Sequence, residues 1–581
     1  MKRIFLTLLV ASVAMSVFAQ NDNAVLMTVG NETITKDQFV KAYQKNNLLS
    51  TATEKDLREY LDLFINYRLK VQDAESMQLD TAEAFVKELG SYKNQSAQPY
   101  LVDTEVSDFL LNEAYERSKY QVCASHILVR CEPNASPKDT LEAYRKIMNV
   151  YDKIMGGLDF HDAAALYSED ESARDYTNPQ THKLVPGNRG RLGYFSVMEM
   201  IYPFETAAYN TPVGTVSKPV RTQFGYHLVY VLDKVPAMAK IHVAQIFLKD
   251  TTALSIYAPS KDIKSKLDEI QNKYKAGASF ESLVEAYSED VATKTKGGKM
   301  DPFVPSRRPG NYVAAAIKLK PGEISEPVPT TIGWHILKLD SIEYAVVNEE
   351  GKYLLKNRLS RDQRARKSRE SLIEKLKVQY NYEEKGKAAA MKFFSKNVPA
   401  SYFQSTALDI ESLNGLAKLK PICTFADQTV SAKDFAHYVS RFQGSQLKGT
   451  VADFLNQIYP NFINEIIIRY EHDHLMDKYP EYKDLVSEFH DGMLLYEINS
   501  QKVWNAAIQD TVGLENFYEK IKKEYPVENP NDSIQYKPME EIRAIVVSRY
   551  QEFLDNNWIR DLRRKYPVKM EEKVFEAILK K

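Results

Sequence analysis

An internal duplication constrains this chain more than any other feature of its sequence. Tyr167-Ser-Glu-Asp170 returns as Tyr287-Ser-Glu-Asp290, and Gly225-Tyr-His227 returns as Gly333-Trp-His335. Each copy opens and closes on runs rich in β-branched and aromatic residues, with helical patterning between them. The chain therefore has to contain two similar α+β units in tandem.

Two histidines of the first copy point to a single site. His126 lies in the strand-like run from Tyr120 to Val129, and His227 lies in the run from Gly225 to Leu232. Alternation with a period of two lets both side chains point to one face if the two strands pair. Two histidines inside apolar strands thus predict one shared site.

The motifs of the first copy, taken in order, resemble a parvulin domain. They are His126-Ile-Leu, Tyr167-Ser-Glu-Asp170, Gly190-Arg-Leu-Gly-Tyr-Phe195, Pro203-Phe204-Glu, Gly214-Thr-Val-Ser and the stretch from Thr222 to His227. Parvulins are peptidyl-prolyl cis/trans isomerases. The resemblance implies an isomerase domain over residues 118–237.

The resemblance also implies which residues form the site. A polar network is expected from His126, Asp170, Thr222 and His227, and an apolar cup for the proline ring from Leu192, Met200 and Phe204. Residue type alone would assign the cup residues to an ordinary core and Asp170 to a helix cap. The functional assignment therefore depends on the motif.

No cofactor or metal is expected at this site. Zinc would need further ligands at a recognisable spacing, and no spacing motif connects His161 and His182 to the paired histidines. The three cysteines, Cys123, Cys131 and Cys423, do not form a disulfide framework and are interpreted as small core residues.

The second copy, residues 238–345, departs from the motif where the site is expected. Gln245 replaces His126, and Met300-Asp301 replaces Leu192-Gly193. Counting back from Gly322 places Arg308 and Tyr312 where the first copy has Met200 and Phe204. The second copy is therefore predicted to be inactive.

The first residues have the pattern of a secretory signal peptide over 1–19. A basic start, an apolar run from Ile4 to Ser16 and small residues before Gln20 predict cleavage near Ala19 and export to the periplasm. No later stretch approaches the length of apolar sequence that a transmembrane helix requires, so no membrane span is expected in the mature chain.

Three further segments flank the duplicated units. Residues 20–117 predict a β-hairpin and helices, an arrangement similar to the N-terminal chaperone module of SurA-type periplasmic isomerases. Residues 346–420 predict a charged helical connector whose arginines, crowded between Arg358 and Arg369, form a solvated face rather than a nucleic-acid or membrane patch. Residues 421–581 predict a second helical module, because Thr424 to Phe435 repeats the pattern of Thr28 to Phe39.

The predicted fold class is α+β multidomain: two parvulin-like β-α-β units, each a small antiparallel sheet with helices, flanked by mainly helical modules. The resemblance implies a peptidyl-prolyl isomerase and folding chaperone acting on exported polypeptides with Xaa-Pro bonds, with outer-membrane β-barrel precursors as clients. A holdase that uses the parvulin folds only as binding arms is the alternative, and a secretion factor for one dedicated partner is a third. The formal net charge of −1 gives no reason to expect a nucleic-acid partner.

Overall fold

A computed structural model describes residues 24–45, 47–133, 135–177, 180, 184–250, 258–404, 409–443, 449–527 and 535–579. The predicted signal peptide, 1–19, and His182 lie outside these residues. The chain forms two compact units. The terminal unit consists of Met1–Tyr100 with Glu471–Lys581, and the central unit is Leu101–Tyr470.

Helices supply most of the regular structure. In chain order they are α1 (Lys36–Gln44), α2 (Glu54–Ser76), α3 (Glu83–Ala97), α4 (Thr104–Arg117), α5 (Pro137–Met155), α6 (Phe160–Tyr167), α7 (Tyr202–Asn210), α8 (Lys261–Lys275), α9 (Phe280–Tyr287), α10 (Val291–Lys294), α11 (Gly310–Ile317), α12 (Glu349–Leu359), α13 (Ala365–Gln379), α14 (Lys387–Asn397), α15 (Ala432–Ser440), α16 (Val451–Asp473), α17 (Leu475–Lys478), α18 (Pro480–Asn499), α19 (Asn505–Gln509), α20 (Thr511–Ile521), α21 (Arg543–Lys565) and α22 (Glu572–Leu579). Among the described residues, no helix is long and apolar enough to cross a membrane.

The strands are short except in the duplicated units. They are β1 (Val25–Val29), β2 (Glu32–Thr35), β3 (Tyr120–Arg130), β4 (Tyr176–Thr177), β5 (Leu184–Val185), β6 (Arg191–Phe195), β7 (Val220–Thr222), β8 (Gly225–Pro236), β9 (Met238–Lys249), β10 (Val328–Thr330), β11 (Gly333–Tyr344), β12 (Cys423–Phe425), β13 (Gln428–Val430), β14 (Pro526–Val527), β15 (Gln535–Tyr536) and β16 (Val568–Met570). All paired strands run antiparallel.

The terminal unit is built on a sheet that joins distant parts of the chain. Its strand order is β16-β1-β2, and Met27 of β1 lies opposite Met570 of β16. The predicted hairpin is confirmed, and α1 begins at Lys36, where Thr35 forms a capping box with Gln38. Phe575 of α22 is fully buried in the same core as these strands. Residues near both ends of the sequence therefore share one hydrophobic core.

Charged contacts accompany this core. Arg68 of α2 binds Glu32 on one side and Asp491 of α18 on the other. Residues 24–100 and 471–579 thus pack as one body, as expected for small modules whose separate cores would be marginal. The predicted module 421–581 is divided between the two units at Tyr470 and Glu471, and the remaining domain boundaries stay predictions.

The central unit contains both duplicated α+β modules. The first has a sheet of order β6-β3-β8-β7, and the second has a sheet of order β10-β11-β9. Long antiparallel pairs, β3 with β8 and β9 with β11, form the middle of each. Helices α5 and α6 cover one face of the first sheet, and α8 and α9 cover the corresponding face of the second. The predicted α+β class is confirmed.

The two modules share part of their core. Cys123 and Tyr194 of the first module belong to the same hydrophobic cluster as Phe303 and Tyr312 of the second. A Cβ atom on Gly310 would lie 2.8 Å from the Cα of Gly193, so α11 approaches β6 backbone to backbone. Larger residues at either position would separate the modules.

The rest of the central unit repeats a local pattern of the terminal one. Strands β12 and β13 form a hairpin, and Ser431 forms a capping box with Asp434 at the start of α15. Between the second module and this hairpin, the charged stretch forms α12 and α13. The prediction of a solvated face is wrong at Arg364, which is fully buried. Its guanidinium group can be buried because it pairs with the buried carboxylate of Glu205.

Candidate active site

The predicted shared face of the two histidines is confirmed. In the pairing of β3 with β8, His126 lies opposite Val229 and His227 lies opposite Leu128, so both rings project from the same side of the sheet. The rings stack with centroids 5.6 Å apart, and the two Nδ1 atoms are 3.4 Å apart. Both side chains are buried.

The histidines form the middle of a hydrogen-bonded chain. Nε2 of His126 is 2.8 Å from Oδ2 of Asp170, and the hydroxyl of Thr222 is 2.8 Å from Nε2 of His227. The structure therefore brings the four predicted polar residues together in the order Thr222, His227, His126, Asp170.

The donor and acceptor roles in this network follow from Asp170, the carboxylate at one end of it. A carboxylate only accepts, so His126 donates from Nε2 to Asp170 and leaves its Nδ1 free to accept. His227 then donates from Nδ1 to His126, and its Nε2 accepts from the Thr222 hydroxyl. These tautomers are assigned from the network. Every hydrogen bond in the chain points toward the carboxylate.

Burial keeps both imidazoles neutral. It lowers the pKa of His227 to about 3, with a further contribution from the neighbouring His126. Burial also lowers the pKa of His126, although the Asp170 carboxylate opposes this. For Asp170, burial favours the neutral acid, but hydrogen bonds from Ser172 and His126 outweigh it and lower the pKa. At neutral pH the network holds two neutral rings and one carboxylate.

Asp170 has two structural roles at once. Its Oδ1 accepts from the backbone N–H of Ser172 and caps the short helical turn Glu171–Ala173. Its Oδ2 accepts from His126. The helix-cap reading and the site reading of this residue are therefore compatible, because each uses a different oxygen.

The three predicted cup residues lie in one apolar cluster. Phe204 from α7 is buried, with its ring edge-on to both imidazoles at centroid distances of 5.8 Å and 5.4 Å. Leu192 from β6 and Met200 from the loop before α7 are partly buried against the same cluster. The cluster thus places apolar side chains directly against the neutral histidine network.

The surroundings of this cup include an exposed aromatic side chain and a groove. Phe224 is 55% exposed, and its backbone N–H donates to the hydroxyl of Thr222. Beyond Asp170 the chain forms the β4–β5 hairpin, beside a groove of about 530 Å³ that Ser168, Arg174 and Tyr176 help to line.

The second module keeps the network but changes one member. Gln245 donates from Nε2 to Asp290 at 2.9 Å and accepts at Oε1 from Nδ1 of His335 at 2.9 Å. The hydroxyl of Thr330 lies 2.9 Å from Nε2 of His335. Gln245 thus donates to the aspartate and accepts from the histidine, as the assigned tautomer of His126 does in the first module.

The cup of the second module is different in chemistry. Tyr312 lies edge-on to His335 with centroids 5.3 Å apart, much as Phe204 lies against His227. Its hydroxyl donates to Gln245 at 3.1 Å and lies 3.2 Å from the sulfur of Met300. A phenol therefore occupies the space above the network. Burial of this phenol raises its pKa, so it stays protonated.

The described residues give little support to a metal at the first site. Nδ1 of His161 lies 3.1 Å from the carbonyl oxygen of Arg189. Within the described ranges, the one group with metal-like spacing is Glu75, His490 and Asp491 in the terminal unit. Asp491 there is already bound by Arg68, whose positive charge opposes a cation.

One charged residue of the first module escapes prediction from the sequence. Glu205, next to Phe204 in α7, is fully buried and paired with Arg117 and Arg364. The only sequence signal is a glutamate on the face of a short helix that is otherwise apolar. Its partners lie 88 and 159 residues away, beyond the reach of any local pattern.

Comparison with known proteins gives matches for both modules. Residues 126–233 and 246–341 match the family model described as Rotamase, PPIC-type PPIASE domain. The chain is 26% identical over 274 residues to a protein named Chaperone SurA from Nitrosococcus oceani, covering 46% of this chain and 60% of that protein. It is 29% identical over 238 residues to a Chaperone SurA from Methylococcus capsulatus, a match that covers 40% of this chain and 48% of that protein. The chain thus spans about half to 60% of these relatives.

Among solved structures, a peptidylprolyl isomerase (PrsA) from Bacillus anthracis is 29% identical. The match covers 24% of this chain and 60% of that one, with a TM-score of 0.17.

Proposed function

Residues 126–233 and 246–341 are PPIC-type rotamase domains of the parvulin family, and from this premise we propose that the first is an active peptidyl-prolyl cis/trans isomerase. The second is an inactive relative within the same polypeptide. The whole protein acts as a folding chaperone for exported polypeptides in the periplasm, with outer-membrane β-barrel precursors as clients. The names of its relatives, Chaperone SurA, support the chaperone part of this proposal.

The contrast between Phe204 and Tyr312 is the observation that carries the proposal. Phe204 lies edge-on to His227, and Tyr312 lies edge-on to His335 at the equivalent position of the second network. Phe204 presents only carbon to a ligand, whereas the Tyr312 hydroxyl is hydrogen-bonded to Gln245 within its own domain. An apolar proline ring fits the first surface and would have to displace a satisfied polar group at the second.

The chemistry required is the rotation of one amide bond. Amide resonance sets a barrier of about 18–20 kcal/mol, and no covalent bond has to break. An apolar cup formed by Leu192, Met200 and Phe204 would hold the proline ring and keep water from the amide. Because the twisted amide has lost resonance, catalysis requires a site that binds it better than the planar form.

The polar network beneath the cup positions groups and does not transfer a proton. Isomerisation needs no proton transfer, and both histidines are neutral. Their fixed tautomers hold the Asp170 carboxylate in place at the edge of the cup. A negative charge near the substrate carbonyl would disfavour amide resonance and so favour rotation.

An isomerisation assay on tetrapeptides with aromatic or aliphatic residues before proline tests this proposal. The samples are the mature chain, Phe204→Ala and the matched truncation Tyr312→Ala in the second domain, each checked for folding by thermal unfolding. We expect rapid isomerisation by the wild type, loss in Phe204→Ala and retention in Tyr312→Ala. Equal activity in the wild type and Phe204→Ala would contradict the assignment of the cup.

A holdase is the second candidate function, favoured by exposed apolar side chains. Leu48, Leu63 and Phe109 are each more than 60% exposed. The same three proteins are therefore tested for suppressing aggregation of an unfolded β-barrel precursor. Suppression by all three with no isomerase activity in any would favour the holdase.

Release of the native protein by osmotic shock of its host cells would test the periplasmic location.

A further inference from the structure

The proline cup of the first domain is held from outside that domain. The loop 196–201, which carries Met200, runs between β6 and α7. It contacts α4, which precedes the first domain in sequence, and α12, which follows the second domain. Val197 packs with Ala114 of α4 and Leu355 of α12, and Met198 joins the same clusters. This loop is the link between the cup and α4 and α12.

The loop has an unusual backbone at Met198. Its φ of 63° lies in the left-handed region, which a residue with a long side chain rarely adopts. The Met198 N–H donates to Oε2 of Glu205 at 2.6 Å. The hydrogen bond and the packing of the side chain between helices hold Met198 in this conformation, two residues before Met200.

Glu205 is in turn fixed by two arginines. Arg117, the last residue of α4, donates from Nη1 to Oε1 at 2.8 Å. Arg364, just before α13, donates from both terminal nitrogens, to Oε1 at 3.0 Å and to Oε2 at 2.8 Å. This fork has the geometry that arginine offers to a carboxylate and that lysine cannot reproduce.

The arginines have their own acidic partners. Nη2 of Arg117 donates to Glu113 at 2.7 Å, and Nε of Arg364 donates to Asp362 at 2.8 Å. Arg364 and Glu205 are fully buried, and Arg117 is nearly so. A buried ion cluster of this kind tolerates little displacement, because any lost contact leaves a charge unpaired away from water.

We propose that Arg364 is a positioning residue that acts through Glu205 and Met198 to set the proline cup, so that prolyl-substrate binding depends on docking of the helices around 104–117 and 349–364. This proposal rests on the proposed function of the first domain. The guanidinium groups of Arg117 and Arg364 bind the Glu205 carboxylate and form no hydrogen bond with Leu192, Met200 or Phe204. Their effect reaches Met200 through the Glu205 carboxylate and the backbone of the loop.

The experiment uses the full mature chain with Arg364→Leu and a matched control, Arg366→Leu, because the Arg366 side chain is exposed in the same segment. The ¹³C-methyl resonance of Met200, assigned with a Met200→Leu variant, reports the geometry of the cup without turnover. Titration of a prolyl tetrapeptide gives its Kd, and the isomerisation assay gives KM and kcat. Thermal unfolding is measured on every sample.

In Arg364→Leu we expect the Met200 resonance to move, and the peptide Kd and KM to rise about tenfold while kcat changes by less than about twofold. Arg366→Leu should match the wild type. Arg364→Lys keeps the charge but loses the fork, so its KM should be intermediate. If Arg364→Leu does not fold, the KM of Arg364→Lys tests the proposal instead. A raised KM supports the positioning role, and an unchanged KM contradicts it.

A lower unfolding temperature with an unchanged Met200 resonance and unchanged KM would overturn the proposal and leave Arg364 a purely structural role. If the wild type has no isomerase activity but the Kd and the resonance still respond to Arg364→Leu, the proposed enzyme fails and the positioning role stands. If the wild type is active and neither readout responds, the positioning role fails and the enzyme stands.

Discussion

The side-chain carbonyl of Gln245 accepts a hydrogen bond from Nδ1 of His335 at 2.9 Å. The amide group of Gln245 donates to Asp290 on its other side. In the first domain, His227 occupies the position of His335 and His126 occupies the position of Gln245. The hydrogen bonds run in the same direction, toward the aspartate. The second domain has thus kept the direction of the network after losing one titratable ring.

This relationship predicts that His126→Gln retains most isomerase activity. A glutamine there can donate to Asp170 and accept from His227, as Gln245 does in its own domain. We expect kcat/KM within about threefold of the wild type. His126→Leu removes one hydrogen bond from Asp170 and one from His227, and kcat/KM should fall about 10- to 100-fold. If the glutamine variant is as inactive as the leucine variant, an imidazole ring is itself required.

The network predicts a loss of stability of the central unit in acid. Burial lowers the pKa of His227 from 6.5 in the unfolded chain to about 3 in the folded state, so the unfolded state takes up a proton first as the pH falls. The contribution of His227 to the unfolding free energy is fully present above pH 6.5 and is lost as the pH falls toward 3. Between pH 6.5 and 5, one such group costs about 2 kcal/mol of unfolding free energy.

Chemical denaturation at pH 7.5 and pH 5.0, followed through the unfolding of the central unit, measures this loss. His227→Gln removes the titrating ring and should reduce the pH dependence by the same amount. An identical pH dependence in both proteins would mean that His227 is not held neutral by the fold.

The close approach of Gly310 to Gly193 predicts a specific defect for Gly310→Ala. The new Cβ would meet backbone at 2.8 Å, which no side-chain movement can relieve. We expect a loss of about 1–3 kcal/mol in the unfolding free energy of the central unit. Gly351→Ala is the control, because its nearest neighbour would be 3.4 Å away and alanine favours a helix. Equal stability of the two variants would argue against tight contact between the domains.

The core of the terminal unit predicts that Phe575→Ala is strongly destabilising. Phe575 is fully buried and contacts Phe39 with ring centroids 6.4 Å apart. Truncation should cost about 3–5 kcal/mol in the unfolding free energy of this unit. Leu63→Ala, at an exposed position of α2, should cost less than about 0.5 kcal/mol. A loss near that of the control would show that α22 is not part of the core.

Local patterns in the sequence were enough to predict much of this architecture. The strands that carry His126 and His227 are rich in β-branched and aromatic residues, and α1 starts at a capping box. The cup residues Leu192, Met200 and Phe204 carry no such signal of their own. Their assignment came from the parvulin motif, and their function remains a prediction.

Long-range pairing was the part that no local pattern could indicate. Strand β16 is three residues long and pairs with β1 across most of the chain. Arg364 lies in a run of charges that is typical of a solvated helix, yet its partner Glu205 is 159 residues away. Both features depend on which distant segments meet, and no periodicity or short motif in either segment indicates its partner.

The pairing of Met27 with Met570 also sets an order of events during synthesis. Until residue 570 has been made, the hairpin formed by β1 and β2 lacks its third strand, and Phe39 lacks Phe575. A hairpin alone in water is marginally stable at best. The sheet of the terminal unit is therefore completed late in synthesis, after both duplicated modules have been translated.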